Sequence, residues 1–343
     1  MRRWAAIMVV VATCVTACTD EHAAPGATAP TVAGTDAAMV GETTTPTIPA
    51  PYEPRTGFAL SPKSYTGSDL PDFLALIDGN ADILMHAGGW TELLQPQPSF
   101  TVIDGLAQQQ GLDSLFVLNP VVAGAAPLTD ASRGQLVTAL REFLTAHQPA
   151  YLGLGNEVNK LADDDPAAFE QVVLLWAEAL PVVRELSPDT KVFVTFQYEW
   201  LLGLRGGWFG GVEVAEDWSS LDRFPGADVV AFTTYPSLVF DDPTTLPADY
   251  YTRIAAHTEL PVLFTESGWT ADDTLPLLPG SEQEQVSFID VFATQAAELR
   301  AEVLVWSFVF GDQIPQQQFV GMTLRRADGS ARPSWDRWLA LRG

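Results

Sequence analysis

Two glutamates each follow a short apolar segment of the chain. One segment runs from Tyr151 through Leu-Gly-Leu-Gly to Asn156 and Glu157, and the other runs from Pro261 to Glu266. A carboxylate that ends an apolar strand is costly to bury unless it is paired or used. Two carboxylates that face each other can hydrolyse a glycosidic bond, because one protonates the leaving oxygen while the other attacks the anomeric carbon. A helix cap or an ion pair is the simpler alternative for either glutamate alone.

Eight short apolar segments alternate with helical patterns between residues 55 and 343 and would position these glutamates. The segments are Gly57 to Leu60, Ile83 to Ala87, Leu115 to Leu118, Tyr151 to Gly155, Val192 to Phe196, Val229 to Thr233, Val262 to Thr265 and Val303 to Phe308. Apolar strands that alternate with helices are typical of a parallel sheet covered on both faces. Eight units predict an α/β chain with a single (β/α)₈ TIM barrel, and a doubly wound open sheet is the alternative. In a barrel, the C-terminal ends of the strands carry the chemistry.

Composition excludes several classes of function. The 343 residues include 18 Lys+Arg and 43 Asp+Glu, which gives a formal net charge of −25. So few cations offer no basic surface for nucleic acid, and a polyanionic substrate would be repelled. The four histidines, at positions 22, 86, 147 and 257, form no close pair, so we expect no metal site. Hydrolysis by two carboxylates needs no cofactor, so none is expected.

The first 54 residues indicate export. Residues 1–17 combine a basic start with an apolar run that is too short to span a bilayer, which predicts a signal peptide. The small residues before Cys18 resemble the lipobox of bacterial lipoproteins, which implies that Cys18 is lipidated; a simple cleaved signal is the alternative. Residues 18–54 are rich in Ala, Thr and Pro and predict a disordered tether. We expect a monomeric barrel at residues 55–343, held at the bacterial cell envelope and touching the membrane only through its lipid.

Two motifs resemble a known group of enzymes. The stretches Gly155 to Val158 (Gly-Asn-Glu-Val) and Thr265 to Trp269 (Thr-Glu-Ser-Gly-Trp) are similar to the strand-four and strand-seven signatures of the clan A retaining glycoside hydrolases. The resemblance implies that Glu157 is the acid/base and Glu266 the nucleophile. It also implies that Asn156 donates a hydrogen bond to the 2-hydroxyl of the sugar being cleaved.

Further strand ends refine the resemblance between about residues 150 and 310. The Tyr235-Pro236 end of strand six is similar to the endo-β-1,4-galactanase (arabinogalactanase) family, which implies that Tyr235 hydrogen-bonds the nucleophile. Strand eight resembles the clan's strand with a Trp under the sugar, which implies that role for Trp306. The β-1,3-glucanases of the clan share the Glu-Ser-Gly-Trp stretch.

The first half of the barrel departs from these families. Many clan members have an Arg at the end of strand two, where this chain offers His86 and Trp90, and strand three ends in Asn119-Pro120 without the His of the galactanases. We predict that His86 and Trp90 contact the sugar instead.

Aromatic and polar residues near other strand ends complete the predicted site. Trp269 follows strand seven, and Gln197 and Glu199 follow strand five, where Glu199 would be a third carboxylate in contact with substrate. Aromatic rings suit the apolar C–H faces of sugars. The sequence therefore predicts a retaining glycoside hydrolase that cleaves β-linked neutral polysaccharide, such as galactan, arabinogalactan or β-glucan. A barrel lipoprotein that binds glycan or cell wall without cleaving it is the alternative.

Overall fold

A computed structural model describes residues 52–120 and 127–342. Nine strands form one sheet in this part of the chain, and every strand pair is parallel. The strands are β1 (Arg55–Ala59), β2 (Ile83–Gly89), β3 (Asp113–Asn119), β4 (Tyr151–Gly153), β5 (Lys191–Phe193), β6 (Thr195–Gln197), β7 (Val230–Thr234), β8 (Val262–Ser267) and β9 (Val303–Trp306). Their order is β5-β4-β3-β2-β1-β9-β8-β7-β6.

The two outer strands of this order are joined directly in sequence. Only Val194 separates β5 from β6, so the chain itself closes the sheet into a barrel. The predicted TIM barrel is confirmed. The predicted single strand Val192 to Phe196 is corrected to two short strands, because its first half pairs with β4 and its second half with β7.

Nine α-helices lie in the described part of the chain, and the longer ones cover the outside of the barrel. They are α1 (Asp69–Ile77), α2 (Ser99–Gln109), α3 (Asp130–Ala146), α4 (Val158–Asp164), α5 (Pro166–Leu186), α6 (Tyr198–Leu201), α7 (Glu282–Leu299), α8 (Gln317–Val320) and α9 (Pro333–Leu339). The side chain of Asp165 caps α5, and Pro166 takes the first helical position, where its missing N–H costs nothing. Helix α5 is also long and apolar enough to cross a membrane, but Leu175 and Trp176 on it are buried in the core of the fold.

Strand alternation divides the apolar core into two clusters. Val303 and Val305 point into the barrel, where they pack with Met85. Leu304 and Trp306, one residue out of step, point outward to the helices. This alternation of successive side chains decides which residues of a strand can reach a site at the mouth of the barrel.

A β-bulge interrupts this alternation in β8. Phe232 of β7 pairs with Phe264, but the next residue, Thr233, pairs with Glu266, so Thr265 is the extra residue. Leu263 points into the barrel and Phe264 points outward. Without the bulge, strict alternation would therefore place Glu266 on the outward face with Phe264. The bulge turns the carboxylate of Glu266 into the barrel.

The predicted signal peptide at 1–17, the lipidated Cys18 and most of the tether at 18–54 lie outside the described residues. The end of that tether belongs to the fold. Tyr52 is half-buried, and its hydroxyl donates to the backbone oxygen of Ala301 at 2.9 Å.

Candidate active site

A cavity of about 330 Å³ opens at the C-terminal ends of the strands. Six of the residues predicted for the site line it: His86, Asn156, Glu157, Gln197, Tyr235 and Glu266. The structure therefore brings the two glutamates to one space, although they are far apart in the sequence. Four other predicted residues, Trp90, Glu199, Trp269 and Trp306, are buried and do not line this cavity.

The backbone holds Glu157 in an uncommon conformation. Glu157 lies between β4 and α4 with φ 45° and ψ 46°, the left-handed region that residues with a Cβ rarely adopt. Its N–H donates to the hydroxyl of Thr195 at 2.8 Å, and this hydroxyl donates to Oδ1 of Asn156 at 2.7 Å. Strand β6 thus fixes both residues, and such strain is typical of functional sites.

The carboxylate of Glu157 has two partners inside the cavity. Oε1 accepts a hydrogen bond from the hydroxyl of Thr233 at 2.8 Å, and Oε2 lies 3.3 Å from Nζ of Lys160. The Glu157 side chain keeps 21% of its surface exposed. It is therefore held in place while one edge stays accessible to a ligand.

Glu266 lies deeper and has a different partner. The hydroxyl of Tyr235 donates to Oε2 of Glu266 and lies 2.8 Å from the hydroxyl of Ser307. Burial raises the pKa of Glu266 to about 7, and the nearby Glu157 carboxylate acts in the same direction. The Tyr235 hydrogen bond and the positive charge of Lys160 act against this rise.

Glu199 is a correction to the predicted substrate contacts. Its carboxylate is completely buried and accepts hydrogen bonds from four groups. The donors are the amide of Gln197, the hydroxyl of Thr234, the backbone N–H of Tyr235 and the hydroxyl of Tyr250. Burial raises the pKa of Glu199. Glu199 ties the ends of β6 and β7 together, so we assign it as a positioning residue for Tyr235 and Gln197.

The end of β2 forms part of the cavity wall in a different way than predicted. The ring of His86 packs against Phe100, with 5.0 Å between ring centroids, and its Nε2 lies 3.9 Å from a carboxylate oxygen of Glu92. Only 2% of His86 is exposed. Trp90, which begins the next helical turn, is buried in the outer core, so the prediction that it contacts substrate is wrong.

The predicted tryptophan platforms also lie behind the barrel wall. The indole N–H of Trp306 donates to the backbone oxygen of Met322 at 3.0 Å, and Trp269 stacks on Phe288 with 5.4 Å between centroids. Both are buried in the outer core. The physical reason for Trp306 is alternation, because Val303, Val305 and the cavity-lining Ser307 share the opposite face.

Other aromatic side chains line the cavity instead. They are Tyr65, Trp208, Phe209, Phe308, Phe310 and Phe319. Two of them had a signal in the sequence, since Trp208 and Phe209 stand in the glycine-rich run after strand five. Tyr65 lies between β1 and α1, and Phe319 lies in the short helix α8, and no motif in the sequence marks either of them. Within residues 52–120 and 127–342, no three His, Cys, Asp or Glu side chains are grouped to hold a metal ion.

No protein-family model matches the chain, and no curated protein matches it. Solved structures do match. The catalytic domain described as GH53 from Ignisphaera aggregans is 16% identical with a TM-score of 0.58, over 87% of this chain and 98% of that one. Exo-beta-1,4-mannosidase Op5Man5 from Opitutaceae bacterium strain TAV5 is 16% identical with a TM-score of 0.62, over 85% of this chain and 59% of that one.

A third match is xylanase 10B from Thermotoga petrophila, which is 10% identical with a TM-score of 0.58, over 85% of this chain and 94% of that one. At these identities the likeness establishes the fold. The chain has the TIM-barrel architecture found in these glycoside hydrolases, and a pair of glutamates lies at the mouth of its barrel.

Proposed function

We propose that the protein is a retaining glycoside hydrolase. The observation that carries this proposal is the pair of glutamates, Glu157 after β4 and Glu266 in β8, that face one cavity in different hydrogen-bonding environments. In a retaining reaction one carboxyl group is the acid/base and the other the nucleophile. The motif resemblance and the Tyr235 hydrogen bond together favour Glu157 as acid/base and Glu266 as nucleophile, because a donated hydrogen bond favours the ionised form.

The reaction proceeds in two displacements. Glu266 attacks the anomeric carbon while the proton of Glu157 passes to the glycosidic oxygen, so the leaving group departs as an alcohol and a glycosyl ester forms on Glu266. Glu157, now a carboxylate, takes a proton from water as the water attacks the same carbon and releases Glu266. Asn156 accepts the Thr195 hydroxyl through Oδ1, which leaves its amide N–H₂ as the donor to a sugar hydroxyl. These steps require no cofactor.

The pKa of Glu266 sets a condition on this chemistry. In the empty cavity Glu266 holds its proton up to about pH 7, and the charge of Glu157 is one cause of this raised pKa, so the proton on Glu266 is the last one that the pair loses. The reaction requires that the pair keeps one proton and one negative charge. We therefore expect kcat/KM to decrease as the pH rises through about 7. This dependence is the same for either assignment of the roles, so it tests the shared proton and not which glutamate is the nucleophile.

The proposed substrate is a β-linked neutral polysaccharide, such as galactan, arabinogalactan or β-glucan. The net charge of −25 disfavours acidic glycans, and the aromatic lining of the cavity suits sugar rings. We further propose that Cys18 is lipidated and holds the enzyme at the outside of a bacterial membrane, where it encounters such polymers. Loss of membrane association in a Cys18→Ser protein would support this location, and unchanged association would contradict it.

A glycan-binding barrel without hydrolytic activity is the second candidate. It is favoured by the outward position of Trp306, which leaves the cavity without the tryptophan floor that the resemblance implied. The two candidates differ in turnover, since a binding protein would be stabilised by an oligosaccharide that remains intact.

The deciding experiment measures reducing-end release from galactan, arabinogalactan, β-1,3- and β-1,4-glucans and mannan. Wild type is compared with Glu266→Gln, which replaces the carboxylate with an amide of nearly the same shape. Release by the wild type alone would support hydrolysis by the two glutamates and would identify the substrate. Equal release by both proteins would contradict the assigned nucleophile, and intact glycan with increased thermal stability would support the binding function.

A further inference from the structure

A second groove adjoins the catalytic cavity on the far side of Phe209. It has a volume of about 800 Å³ and lies between α4, α6 and the segment that follows α6. The ring of Phe209 lines both spaces, so they meet at this side chain. Lys160, the ion-pair partner of Glu157, lies 6.0 Å above the same ring. The groove is therefore continuous with the Glu157 side of the site.

The size of the catalytic cavity explains why such a continuation matters. Its volume of about 330 Å³ is at the small end of the range for small-molecule sites, about 300–1,000 Å³. A polysaccharide that is cleaved there has to extend beyond the cavity. The groove past Phe209 has the greater volume and accepts a longer part of such a chain.

The groove holds hydrogen-bond donors that lack protein partners. The guanidinium of Arg205 stacks on Trp200 at 3.4 Å from the ring centroid, and its Nη2 donates to Asp163 at 2.8 Å. Its Nη1 is buried and has no acceptor among the described residues, and the same is true of the hydroxyl of Ser220. Both residues line the groove. An unpaired buried polar group costs free energy, so both side chains would gain by turning to an oxygen of a ligand in the groove.

The remaining lining selects the kind of ligand. Three carboxylates, Asp163, Glu170 and Asp217, line the same groove with two arginines that pair with the first two of them, so the groove has little net charge to attract an anion. Val212 and Val214 present apolar surface there, with 83% and 56% of each residue exposed. Carboxylates and a guanidinium beside apolar surface suit a neutral ligand with many hydroxyls and apolar C–H faces.

We propose that the groove binds sugar residues of the same neutral polysaccharide that lie beyond the bond being cleaved. This inference rests on the proposed function, because it places the groove next to the hydrolytic cavity. Arg205 and Ser220 donate to sugar hydroxyls, and Phe209 contacts the chain where it passes from one space to the other.

The test compares Arg205→Met with Arg332→Met as a matched control. The two arginine side chains are similarly buried, with 13% and 14% exposed, and each forms an ion pair, but Arg332 pairs with Glu282 away from the groove. The substrates are a ladder, from disaccharide to octasaccharide, of the polymer that wild type hydrolyses fastest. For Arg205→Met we expect the loss in kcat/KM on the octasaccharide to exceed its loss on the disaccharide by roughly tenfold, the value of a charged hydrogen bond. Arg332→Met should retain the wild-type dependence on length, and an equal loss at all lengths for Arg205→Met would overturn the proposal.

Ser220→Ala keeps the Arg205–Trp200 stack, so it tests the groove even where Arg205→Met is poorly folded. A smaller loss confined to long substrates supports the proposal, and unchanged kinetics at every length contradict it.

A binding measurement separates this proposal from the proposed function. Glu266→Gln is run in native gels that contain each polymer, alone and combined with Arg205→Met or Arg332→Met. Retardation that only Arg205→Met weakens would support the groove even where wild type releases no product. Retardation that neither substitution changes, or no retardation by any polymer, would overturn the groove proposal.

Discussion

The two glutamates reach the same cavity by different structural means. Glu157 lies outside its strand in a left-handed conformation, and it pairs with a cation and a hydroxyl near solvent. Glu266 lies inside its strand, is turned inward by a β-bulge, and accepts a hydrogen bond from the buried Tyr235. Glu157 therefore has a cation as a direct partner, whereas the direct partner of Glu266 is a hydroxyl and its carboxylate is more deeply buried.

This difference separates the roles of the two groups. A pair of titratable groups can act as acid and base only when their environments differ. Lys160 is the cation next to Glu157, whereas burial is the main influence on Glu266 and raises its pKa to about 7. Substitutions that remove one environment at a time can show whether the assignment of Glu157 as acid/base is correct.

The largest expected effect concerns the leaving group. Glu157→Gln should lose roughly 100- to 10,000-fold in kcat/KM on an oligosaccharide, since that leaving oxygen needs a proton. A dinitrophenyl glycoside needs none, so Glu157→Gln should retain most of its rate in the first step on that substrate. Glu266→Gln should be inactive on both. The measurement is kcat/KM for the two proteins on the two substrates.

Azide supplies an independent control for the same assignment. With Glu266→Ala, azide takes the place of the nucleophile and gives the α-glycosyl azide from a β-glycoside. With Glu157→Ala, azide attacks the glycosyl intermediate and gives the β-product. The opposite pair of products would mean that the roles are exchanged.

The sequence predicts the barrel because the barrel depends on local patterns. Apolar strands, capped helices and the glutamates after strands four and seven are all visible in the sequence. The break in the fifth strand is not visible, because Val192 to Phe196 has the composition of a single strand. The break arises from pairing, since the first half of this segment pairs with β4 and the second half pairs with β7. Pairing partners are set by closure of the sheet, which no local pattern encodes.

The candidate site depends on which face each side chain occupies. Val303, Val305 and Ser307 share one face of the strand, so alternation alone places Trp306 on the opposite face, away from the cavity. Strict alternation gives the wrong face for Glu266 in β8, because it places this residue outward with Phe264. The extra residue Thr265 shifts the register by one and turns Glu266 inward. A bulge is a property of the strand pair, so it cannot be derived from one strand alone.

Because Glu266 is buried, replacing it with Gln is expected to stabilise the folded protein. The pKa is raised from 4.5 to about 7, so the folded protein binds the proton more tightly than the unfolded chain, and wild type loses stability as the pH rises through this range. A rise of this size corresponds to about 3 kcal/mol, and the solvent-facing edge of the side chain reduces the expected value to about 2 kcal/mol. Glu266→Gln should therefore have the higher Tm at about pH 8.

The comparison with Glu157→Gln provides the contrast in this stability measurement. Near pH 4, Glu266 is mostly protonated in both the folded and the unfolded state of the wild type, so the higher Tm of Glu266→Gln should disappear there. Glu157→Gln leaves Lys160 without its partner and should show no such gain at high pH. A Tm difference for Glu266→Gln that is the same at both pH values would contradict the raised pKa.

The smallest effect is expected from Tyr235→Phe, which changes only the environment of Glu266. The lost hydrogen bond favours the ionised carboxylate, so its removal should raise the pKa of Glu266 further and move the basic limb of kcat/KM to higher pH. Below that limb the loss should be roughly 10-fold or somewhat more. Tyr198→Phe is the control, since it removes a buried hydroxyl that donates to the backbone of Tyr250 instead. Because a purely structural role for Tyr235 would lower kcat/KM equally at every pH, an unshifted limb would mean that Tyr235 does not tune the nucleophile.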